Sequence, residues 1–412
     1  MKKISLKSSN LPINTTINLV ASKSESNRSL IINALEGFRC ELKNLSAARD
    51  TQTMKSLLNS SDYVANVLDA GTTMRFLASY FAITGKQKKL TGTARMCERP
   101  IGILVEALKK LGAKIEYEGK EGYPPLILNG FEFSGVNEIS IRGDVSSQFI
   151  SSILMIAPML PEPLTLNLTG EVGSKPYIEM TIAQMRLFGA TVHTNWAENS
   201  IKVENIPYSA SSYSVESDWS GASYWYSVVA LGENIELKLL GLKENSLQGD
   251  SEIVKIMSLL GVQTEFVADG LILTKKIAEN TFEWDFSNCP DLTQTVAVIC
   301  AAKGIPAKFT GIESLKVKET DRVLAIQNEL KKINANLIEI SQNHEYQIVP
   351  SETIGKQKAN IEFETYDDHR MAMAFAPLSM LQQISILHPE VVAKSYPSFW
   401  EDFRKVASIK EL

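Results

Sequence analysis

The chain has few histidines and cysteines, and neither residue forms a pattern typical of a metal site. Among its 412 residues are four histidines and four cysteines, the latter at Cys40, Cys97, Cys289 and Cys300. No Cys-x-x-Cys pair occurs, and no histidine cluster lies beside a cysteine. This spacing argues against a zinc site and against a disulfide framework, and it suits a chain kept in a reducing cytoplasm.

Long apolar runs, a basic surplus and nucleotide-binding loops are also missing. No apolar run approaches the ~18–20 residues of a membrane span, and none follows the basic start to form a signal peptide. With 42 basic and 47 acidic residues the net charge is −5, which disfavours nonspecific nucleic-acid binding. Neither G-x-x-x-x-G-K-[ST] nor G-x-G-x-x-G occurs, so nucleotide binding has no support.

What the sequence does contain is a repeat. The length predicts two or three domains, and a unit of polar motif, apolar helix, turn and strand recurs within them. Its copies are Arg28–Ser46, Phe76–Gly92, Ile150–Gly170, Ser223–Gly241, Thr295–Gly311 and Arg370–Pro389. Alternating helices and strands predict an α/β (α+β) fold, and six copies are most simply arranged as three in each of two similar domains.

A second unit, helix to small turn to strand, is interleaved with the first. Its turns carry Gly112, Gly189, Gly261 and Asn334, at a spacing of roughly 75 residues that indicates a repeated structural unit. Glycine, or asparagine in its place, is typical of the left-handed residue that ends a helix. We therefore predict a left-handed helix end at each of the four positions.

Polar motifs precede the six apolar helices of the first unit. They are SKSESNR (Ser22–Arg28), DAGTTMR (Asp69–Arg75), RGDVSSQ (Arg142–Gln148), SDWSGAS (Ser217–Ser223), CPDLTQ (Cys289–Gln294) and YDDHR (Tyr366–Arg370). Capping residues are expected at helix starts, but cations there oppose the helix dipole. Lys23, Arg28, Arg75 and Arg370 therefore indicate that an anion is bound between them.

Two more charged segments leave their function open when taken alone. LKVKETDR contains Lys316, Lys318, Glu319, Asp321 and Arg322, and such a run is often a solvated helix start. Near the C-terminus, Lys394 stands in the apolar-aromatic segment VVAKSYPSFW, where a lone lysine is usually a surface group.

In chain order, the segments SKSESNR, AGTTMR, ERPIG, GDVSSQF, SKPYIE, VKETDR, YDDHRMAM and AKSYPSF resemble the signature segments of one family of enolpyruvyl transferases, the 3-phosphoshikimate 1-carboxyvinyltransferases (EPSP synthases). The resemblance spans residues 22–399. It implies two similar domains of three βαβαββ repeats each, in an inside-out α/β barrel. It also implies that residues 1–20 and 217–412 form one domain, that residues 21–216 form the other, and that the active site lies in the cleft between them.

The implied reaction is transfer of the enolpyruvyl group of phosphoenolpyruvate to the 5-hydroxyl of shikimate 3-phosphate, with release of phosphate. This step belongs to the shikimate pathway, which leads to chorismate and the aromatic amino acids. The resemblance implies a cytoplasmic enzyme that needs no metal or organic cofactor. We expect a monomer whose partners are its two small-molecule substrates, with no nucleic acid and no membrane among them.

The resemblance also assigns site residues. Those for shikimate 3-phosphate are Lys23, Ser24, Arg28, Ser146, Ser147, Gln148, Ser174, Tyr177, Asp291, Ser314 and Lys318. Those for phosphoenolpyruvate are Lys23, Gly71, Arg99, Gln148, Arg322, Arg370 and Lys394, and Arg75 is expected to support the Gly71 loop. Both substrates carry phosphate and carboxylate groups, so binding them requires many cations.

Catalysis requires a base for the 5-hydroxyl and an acid for the methylene carbon of phosphoenolpyruvate. The family pattern gives the first role to Asp291 and the second to Glu319, with Lys23 or Lys318 assisting. Which group moves which proton stays open.

Three positions depart from the family pattern. Asp69 and Ser314 stand where asparagine is usual, and Phe76 stands where proline is usual. These changes bear on substrate affinity rather than on the reaction. The pair Gly71-Thr72 predicts sensitivity to glyphosate-type analogues.

Two alternative functions compete with this one. The related UDP-N-acetylglucosamine enolpyruvyl transferases carry a reactive cysteine in a glycine-containing loop before the arginine that matches Arg99. Here Cys97 lies only two residues before Arg99 and no such loop is present, so we expect Cys97 to be a bystander. The other alternative is a non-catalytic protein that binds anions or RNA ends, against which the acidic net charge counts.

Overall fold

The computed structural model describes residues 2–8, 12–350 and 360–412. The helices are α1 (Lys23–Leu35), α2 (Arg49–Asn59), α3 (Gly71–Ile83), α4 (Ala94–Cys97), α5 (Gly102–Leu111), α6 (Ser147–Ile156), α7 (Lys175–Leu187), α8 (Trp219–Leu231), α9 (Ile253–Leu260), α10 (Thr293–Lys303), α11 (Arg322–Lys331), α12 (His369–Phe375) and α13 (Phe399–Phe403). Within these described ranges, every helix is too short or too polar to cross a membrane.

The strands fall into six sheets in the described part of the chain. In chain order they are β1 (Lys3–Ser8), β2 (Ile13–Asn18), β3 (Glu41–Lys43), β4 (Val64–Asn66), β5 (Lys88–Thr91), β6 (Ala113–Tyr117), β7 (Leu126–Phe131), β8 (Glu138–Arg142), β9 (Leu164–Thr169), β10 (Val192–Asn195), β11 (Ser200–Val203), β12 (Ser212–Ser214), β13 (Ile235–Leu240), β14 (Val262–Val267), β15 (Gly270–Lys275), β16 (Phe282–Asp285), β17 (Ala307–Thr310), β18 (Asn336–Ser341), β19 (Glu345–Val349), β20 (Ile361–Phe363), β21 (Ile384–Leu387) and β22 (Ala407–Glu411).

The chain divides into two compact units. One, here the discontinuous unit, comprises Met1–Ala21 and Glu216–Leu412, and the other, the continuous unit, comprises Ser22–Val215. In the discontinuous unit Ala21 forms an antiparallel bridge with Ser217, so the two segments meet where the chain leaves this unit and returns to it.

The discontinuous unit contains three four-stranded sheets, in the orders β20-β21-β1-β22, β14-β15-β13-β2 and β16-β17-β19-β18. Strand β1 lies between β21 and β22 and is antiparallel to both, whereas β2 pairs in parallel with β13. The N-terminal segment therefore completes two sheets whose other strands come from the C-terminal half of the sequence.

The continuous unit contains the sheets β4-β5-β7-β6 and β10-β11-β9-β8, and the two-stranded sheet β12-β3. Its first repeat is shorter than the others because the chain runs from α2 directly to β4 without forming a hairpin. Every sheet of the described chain contains one parallel pair, and α3, α6, α10 and α12 each connect such a pair. A helical crossover between parallel strands defines the predicted α/β class, which is confirmed.

Two kinds of helix build the cores. The helices that follow the polar motifs, α1, α3, α6, α8, α10 and α12, are buried over nearly all their residues and are called the buried helices below. The helices of the second unit, such as α5 and α9, bury one stripe at i, i+3, i+4 spacing and expose the other face. Each unit thus places the start of three buried helices at its polar motifs.

The four predicted helix ends are confirmed. Gly112, Gly189, Gly261 and Asn334 have φ values of +112°, +91°, +101° and +57°. At Gly112 a Cβ atom would also lie 1.8 Å from the carbonyl oxygen of Glu132, so this turn requires glycine for space as well as conformation.

Candidate functional site

The polar motifs act first as caps of the buried helices. The side chains of Ser22, Ser146, Asp218 and Asp368 each accept a hydrogen bond from a backbone N–H in the first turn of α1, α6, α8 and α12, respectively. This is the ordinary role of serine and aspartate before a helix. Of the motif cations, Lys23 and Arg370 lie in the first turns of α1 and α12, whereas Arg28 and Arg75 lie one turn further into α1 and α3.

In the continuous unit, Arg28 is buried at the centre of a hydrogen-bond network. Its Nε donates to Oγ1 of Thr181 at 2.6 Å, and its Nη2 lies 3.2 Å from the carbonyl oxygen of Tyr177. Another guanidinium nitrogen donates to the carbonyl oxygen of Ser24, and the group lies 5.4 Å from the ring centre of Phe76. Burial lowers the pKa of Arg28 to about 10, which leaves it charged at neutral pH.

Lys23, the first residue of α1, is paired with a carboxylate on α2. Its Nζ lies 3.1 Å from Oδ2 of Asp50, and the Asp50 side chain is almost fully buried. Sequence reasoning missed Asp50, because the residue belongs to none of the motifs and is 27 positions from Lys23.

Gly71 and Arg99, both predicted to bind phosphoenolpyruvate, lie side by side. A Cβ atom on Gly71 would be 2.7 Å from Nη1 of Arg99. Arg75 fixes this arrangement, since its guanidinium donates to the carbonyl oxygens of Gly71 and Pro100, at 3.2 and 3.1 Å. The expected support of the Gly71 loop by Arg75 is confirmed.

The remaining predicted residues of the continuous unit lie at the starts of α6 and α7. Gln148 donates from Nε2 to Oγ1 of Thr72 at 3.0 Å, which connects the first turns of α6 and α3. Ser147 is buried in the first turn of α6, after the cap residue Ser146. Ser174 precedes α7 with a left-handed backbone, at φ +52°.

In the discontinuous unit, the guanidinium of Arg322 contacts three carboxylates. Its Nε donates to Asp368 at 2.6 Å, and its two Nη atoms donate to Asp291 at 3.0 Å and to Glu319 at 2.9 Å. The Arg322 side chain is only 3% exposed. Burial alone would lower its pKa, but Asp368, Glu319 and Asp291 raise it above the ordinary value.

Arg370 and Lys394 complete this cluster. Nη2 of Arg370 donates to Oδ2 of Asp291 at 2.6 Å, and Nζ of Lys394 lies 3.3 Å from Oε1 of Glu319. Lys394 is 2% exposed, so it is a buried member of the cluster and not a surface lysine.

Asp291 is the carboxylate on which these cations converge. Burial would raise its pKa, but the charges of Arg370, Lys318 and Arg322 together hold it well below the usual range. Lys318 therefore takes part in the electrostatics of the cluster. Ser314, by contrast, is exposed on the turn Glu313–Val317.

Two of the three departures from the family pattern have described contacts. Asp69 forms an ion pair with Arg49 on α2, at 2.7 Å. Phe76 is buried and packs against the guanidinium of Arg28. Neither change removes one of the predicted cations.

In each unit, further residues contact the predicted site residues or their partners. Asp368 and Ser220 lie inside two quoted motifs, and their types could have suggested partners for arginine. The other four residues lie outside the quoted motifs. They are Asp50, Tyr224, Asp250 and Thr181.

Buried cations in both units of a repeated α/β fold are typical of a protein that binds small anionic molecules, and here they include Arg28, Arg75, Arg322, Arg370 and Lys394. A model of the EPSP synthase (3-phosphoshikimate 1-carboxyvinyltransferase) family matches residues 55–403. The chain therefore belongs to the EPSP synthase family, a family of transferases, and the predicted family is confirmed.

Individual relatives agree with this family. The chain is 46% identical over 396 residues to 3-phosphoshikimate 1-carboxyvinyltransferase of Bacteroides fragilis (strain YCH46), with 95% of each chain covered. It is 34% identical over 420 residues to the protein of the same name from Cellvibrio japonicus (strain Ueda107), covering 95% of this chain and 96% of that one. The structure of EPSP synthase from Acinetobacter baumannii is 20% identical, covers 100% of both chains and has a TM-score of 0.78, which supports the fold.

Proposed function

We propose that the protein transfers the enolpyruvyl group of phosphoenolpyruvate to the 5-hydroxyl of shikimate 3-phosphate and releases phosphate. The observation that carries this proposal is the cluster around Asp291, where an ionised carboxylate is held directly by Arg322 and Arg370. The cluster combines anion-binding cations with a candidate base. Family membership favours this reaction over transfer to UDP-N-acetylglucosamine and over non-catalytic binding of anions or RNA ends.

Phosphoenolpyruvate would be bound by residues of both units, several of which are cations that contact carboxylates in the free protein. We assign this role to Arg322, Arg370 and Lys394 in the discontinuous unit, and to Lys23, Gly71, Arg99 and Gln148 in the continuous unit. An arginine can hold a phosphate or carboxylate through two parallel N–H donors, and the substrate anions would compete with the protein carboxylates for these donors.

Shikimate 3-phosphate would be bound mainly by residues at the starts of α1, α6 and α7. We assign this role to Lys23, Ser24, Arg28, Ser146, Ser147, Gln148, Ser174 and Tyr177, together with Asp291, Ser314 and Lys318. Backbone N–H groups and hydroxyls at helix starts are suited to phosphate, and the helix dipole favours the negative charge.

The charge balance around Asp291 gives it a way to become a base during the reaction. In the free protein, Arg370, Lys318 and Arg322 keep its pKa low, so it is a weak base. Substrate anions bound to these cations would offset their charge and raise the pKa of Asp291. Asp291 could then accept the proton of the 5-hydroxyl as the oxygen attacks phosphoenolpyruvate.

Glu319 is placed to exchange a proton with the methylene carbon. Its two oxygens contact Arg322 and Lys394, residues assigned to phosphoenolpyruvate. When protonated it could donate to the methylene carbon, and the same carboxylate could take a proton back as phosphate leaves. Its negative charge would also stabilise the cationic centre that forms when the enol phosphate is protonated.

The first experiment is a phosphate-release assay with phosphoenolpyruvate and either shikimate 3-phosphate or UDP-N-acetylglucosamine as acceptor. Release only with shikimate 3-phosphate supports the proposed reaction. Release only with the other acceptor, or loss of turnover in Cys97→Ser, would support the alternative transferase.

We further propose that the enzyme works as a cytoplasmic monomer without a metal or organic cofactor. The four cysteines are free thiols, as suits a reducing compartment. Unchanged turnover in excess EDTA, and a monomer mass in solution at assay concentration, are the expected results.

A further inference from the structure

A second buried carboxyl group, Asp250, lies behind the Arg370 guanidinium. It belongs to the short turn Gly249–Glu252 that precedes α9, and it is 3% exposed. Oγ of Ser220, in the first turn of α8, donates a hydrogen bond to Oδ2 of Asp250. The same Oγ lies 3.5 Å from Nη2 of Arg370, which in turn donates to Asp291. The Arg370 guanidinium is therefore connected to one carboxylate directly and to another through a hydroxyl.

The two carboxyl groups have different charge environments. Burial raises the pKa of Asp250 to about 7, and Asp291 and Asp218 raise it too, while Arg370 and the Ser220 hydroxyl lower it. Burial raises the pKa of the Cys289 thiol, and the charge of Asp250 raises it further. Asp291 stays ionised, whereas Asp250 changes charge near neutral pH. Such a difference in pKa between two neighbouring carboxyl groups is typical of groups with different tasks.

We propose that Asp250 is a positioning residue for Arg370, because it orients the Arg370 guanidinium through the Ser220 hydroxyl. While Asp250 is neutral, the positive charge of Arg370 stays available to the substrate. This role rests on the proposed function, in which Arg370 binds phosphoenolpyruvate. In this role Asp250 acts through Ser220 and Arg370 and not on the reacting atoms.

The sign of the pH effect follows from electrostatics. An anion bound at Arg370 disfavours a negative charge on Asp250, and an ionised Asp250 disfavours the bound anion by the same coupling free energy. The affinity for phosphoenolpyruvate is therefore highest below about pH 7, where Asp250 is neutral, and falls as the pH rises.

The kinetic test compares the KM for phosphoenolpyruvate in the wild type and in Asp250→Asn, at saturating shikimate 3-phosphate. Asparagine keeps the shape and stays neutral, so the ratio of wild-type to variant KM should rise roughly tenfold between about pH 6 and about pH 8.5. The ionisation of the substrate phosphate in this range affects both proteins equally and cancels in the ratio. Asp402→Asn, another buried carboxyl change in the same unit, serves as the matched control and should show a constant ratio.

A ratio that does not change with pH, although both proteins turn over, would overturn the inference. An equal change in Asp402→Asn would overturn it too, because the effect would then be one of general stability. The split between KM and kcat is a further check, since we expect the pH effect in KM.

A second readout does not depend on turnover. Infrared titration of protein with 13C-labelled aspartate should show a protonated carboxyl band that disappears near pH 7 and is altered in Ser220→Ala. Since Arg370 lowers the pKa of Asp250, the Arg370→Gln variant should keep the band to higher pH. An unmoved band contradicts the coupling even if the enzyme is active. If the wild type releases no phosphate with either acceptor, the proposed function fails, and this titration still decides whether Asp250 and Arg370 are coupled.

Discussion

At the scale of single residues, several of the predicted cations are paired with carboxylates before any substrate arrives. The single guanidinium of Arg322 contacts three carboxylates, those of Asp291, Glu319 and Asp368. Burying such pairs costs desolvation energy, and apolar residues in their place are often as stable. In the proposed function, the carboxylates would hold the arginines in position until an anionic substrate competes for them.

The contact between Gly71 and Arg99 leads to the first prediction. In Gly71→Ala the new methyl group would lie 2.7 Å from Nη1 of Arg99, so the guanidinium must move. We expect the KM for phosphoenolpyruvate to rise about tenfold, equivalent to about 1.4 kcal/mol of binding energy, with little loss of stability.

The matched control is Gly119→Ala, where a Cβ atom would meet nothing within 4 Å. Steady-state kinetics of both variants, with thermal unfolding as the stability measurement, decide the matter. An unchanged KM in Gly71→Ala would mean that Arg99 does not contact the substrate.

The second prediction concerns Asp291. Removing the proposed base in Asp291→Asn should lower kcat/KM by about 10²–10⁴-fold in the phosphate-release assay. Turnover within a few-fold of the wild type would reject Asp291 as the base.

The same substitution has a predicted effect on stability. The pKa of Asp291 is depressed in the folded protein, so its stabilising effect is present above its ordinary pKa, about 3.9, and is lost as the pH falls through the folded value. Urea unfolding should show the wild type more stable than Asp291→Asn at neutral pH, with the difference shrinking below about pH 4. A difference that grows on acidification would contradict the ion pairs described for Asp291.

At the scale of secondary structure, capping and cation placement are joined in one turn. Asp321 accepts a hydrogen bond from the backbone N–H of Leu324 at 3.0 Å and so caps α11, whose first residue is Arg322. The cap thus fixes both the helix start and the backbone of the arginine that contacts three carboxylates.

The third prediction follows from this cap. Asp321→Ala should lower the free energy of unfolding by about 1 kcal/mol and raise the KM for phosphoenolpyruvate, whereas Asp321→Asn, which can still cap, should change both far less. Chemical unfolding and kinetics of the two variants give the measurement. Equal changes in unfolding free energy and KM in Asp321→Ala and Asp321→Asn would show that the charge of Asp321 matters and its cap does not.

Helix ends could be predicted from the sequence, and sheet size could not. The left-handed residues Gly112 and Asn334 follow from local conformation, which a few residues determine. The first repeat of the continuous unit forms only the two-stranded sheet β12-β3, whereas the other sheets of the described chain have four strands. The number of strands in a sheet depends on which distant segments pair with it. Sheet size is therefore determined by tertiary packing and not by local sequence.

At the scale of the whole molecule, the N-terminal strands are structural members of the discontinuous unit. Strand β1 pairs on both sides, with β21 and β22, and β2 pairs with β13. Without them two sheets would expose unpaired backbone groups and lose part of the core that includes Leu6 and Ile17.

The fourth prediction uses this arrangement. A chain of residues 216–412 alone should fail to fold cooperatively, while residues 1–21 joined to residue 216 by a linker of about two to four residues should fold. The short linker suffices because Ala21 and Ser217 face each other in a bridge, with Cα atoms about 4.5–5.5 Å apart. Circular dichroism and thermal unfolding of the two chains test this, and cooperative folding of residues 216–412 alone would contradict it.

The sequence alone determined the repeat, the helix starts, the left-handed turns, the family and most cations of the site. The helix starts and the turns lie within a few neighbouring residues, because caps, turns and helical periodicity are local, and the repeat and the family follow from the order of such short segments along the chain. Only the tertiary structure decided which carboxylate faces which cation. Asp50 meets Lys23 across 27 positions, and Asp291 meets Arg370 across 79, with Asp250 behind it. Such pairs form only where buried helices pack, and packing depends on the whole unit.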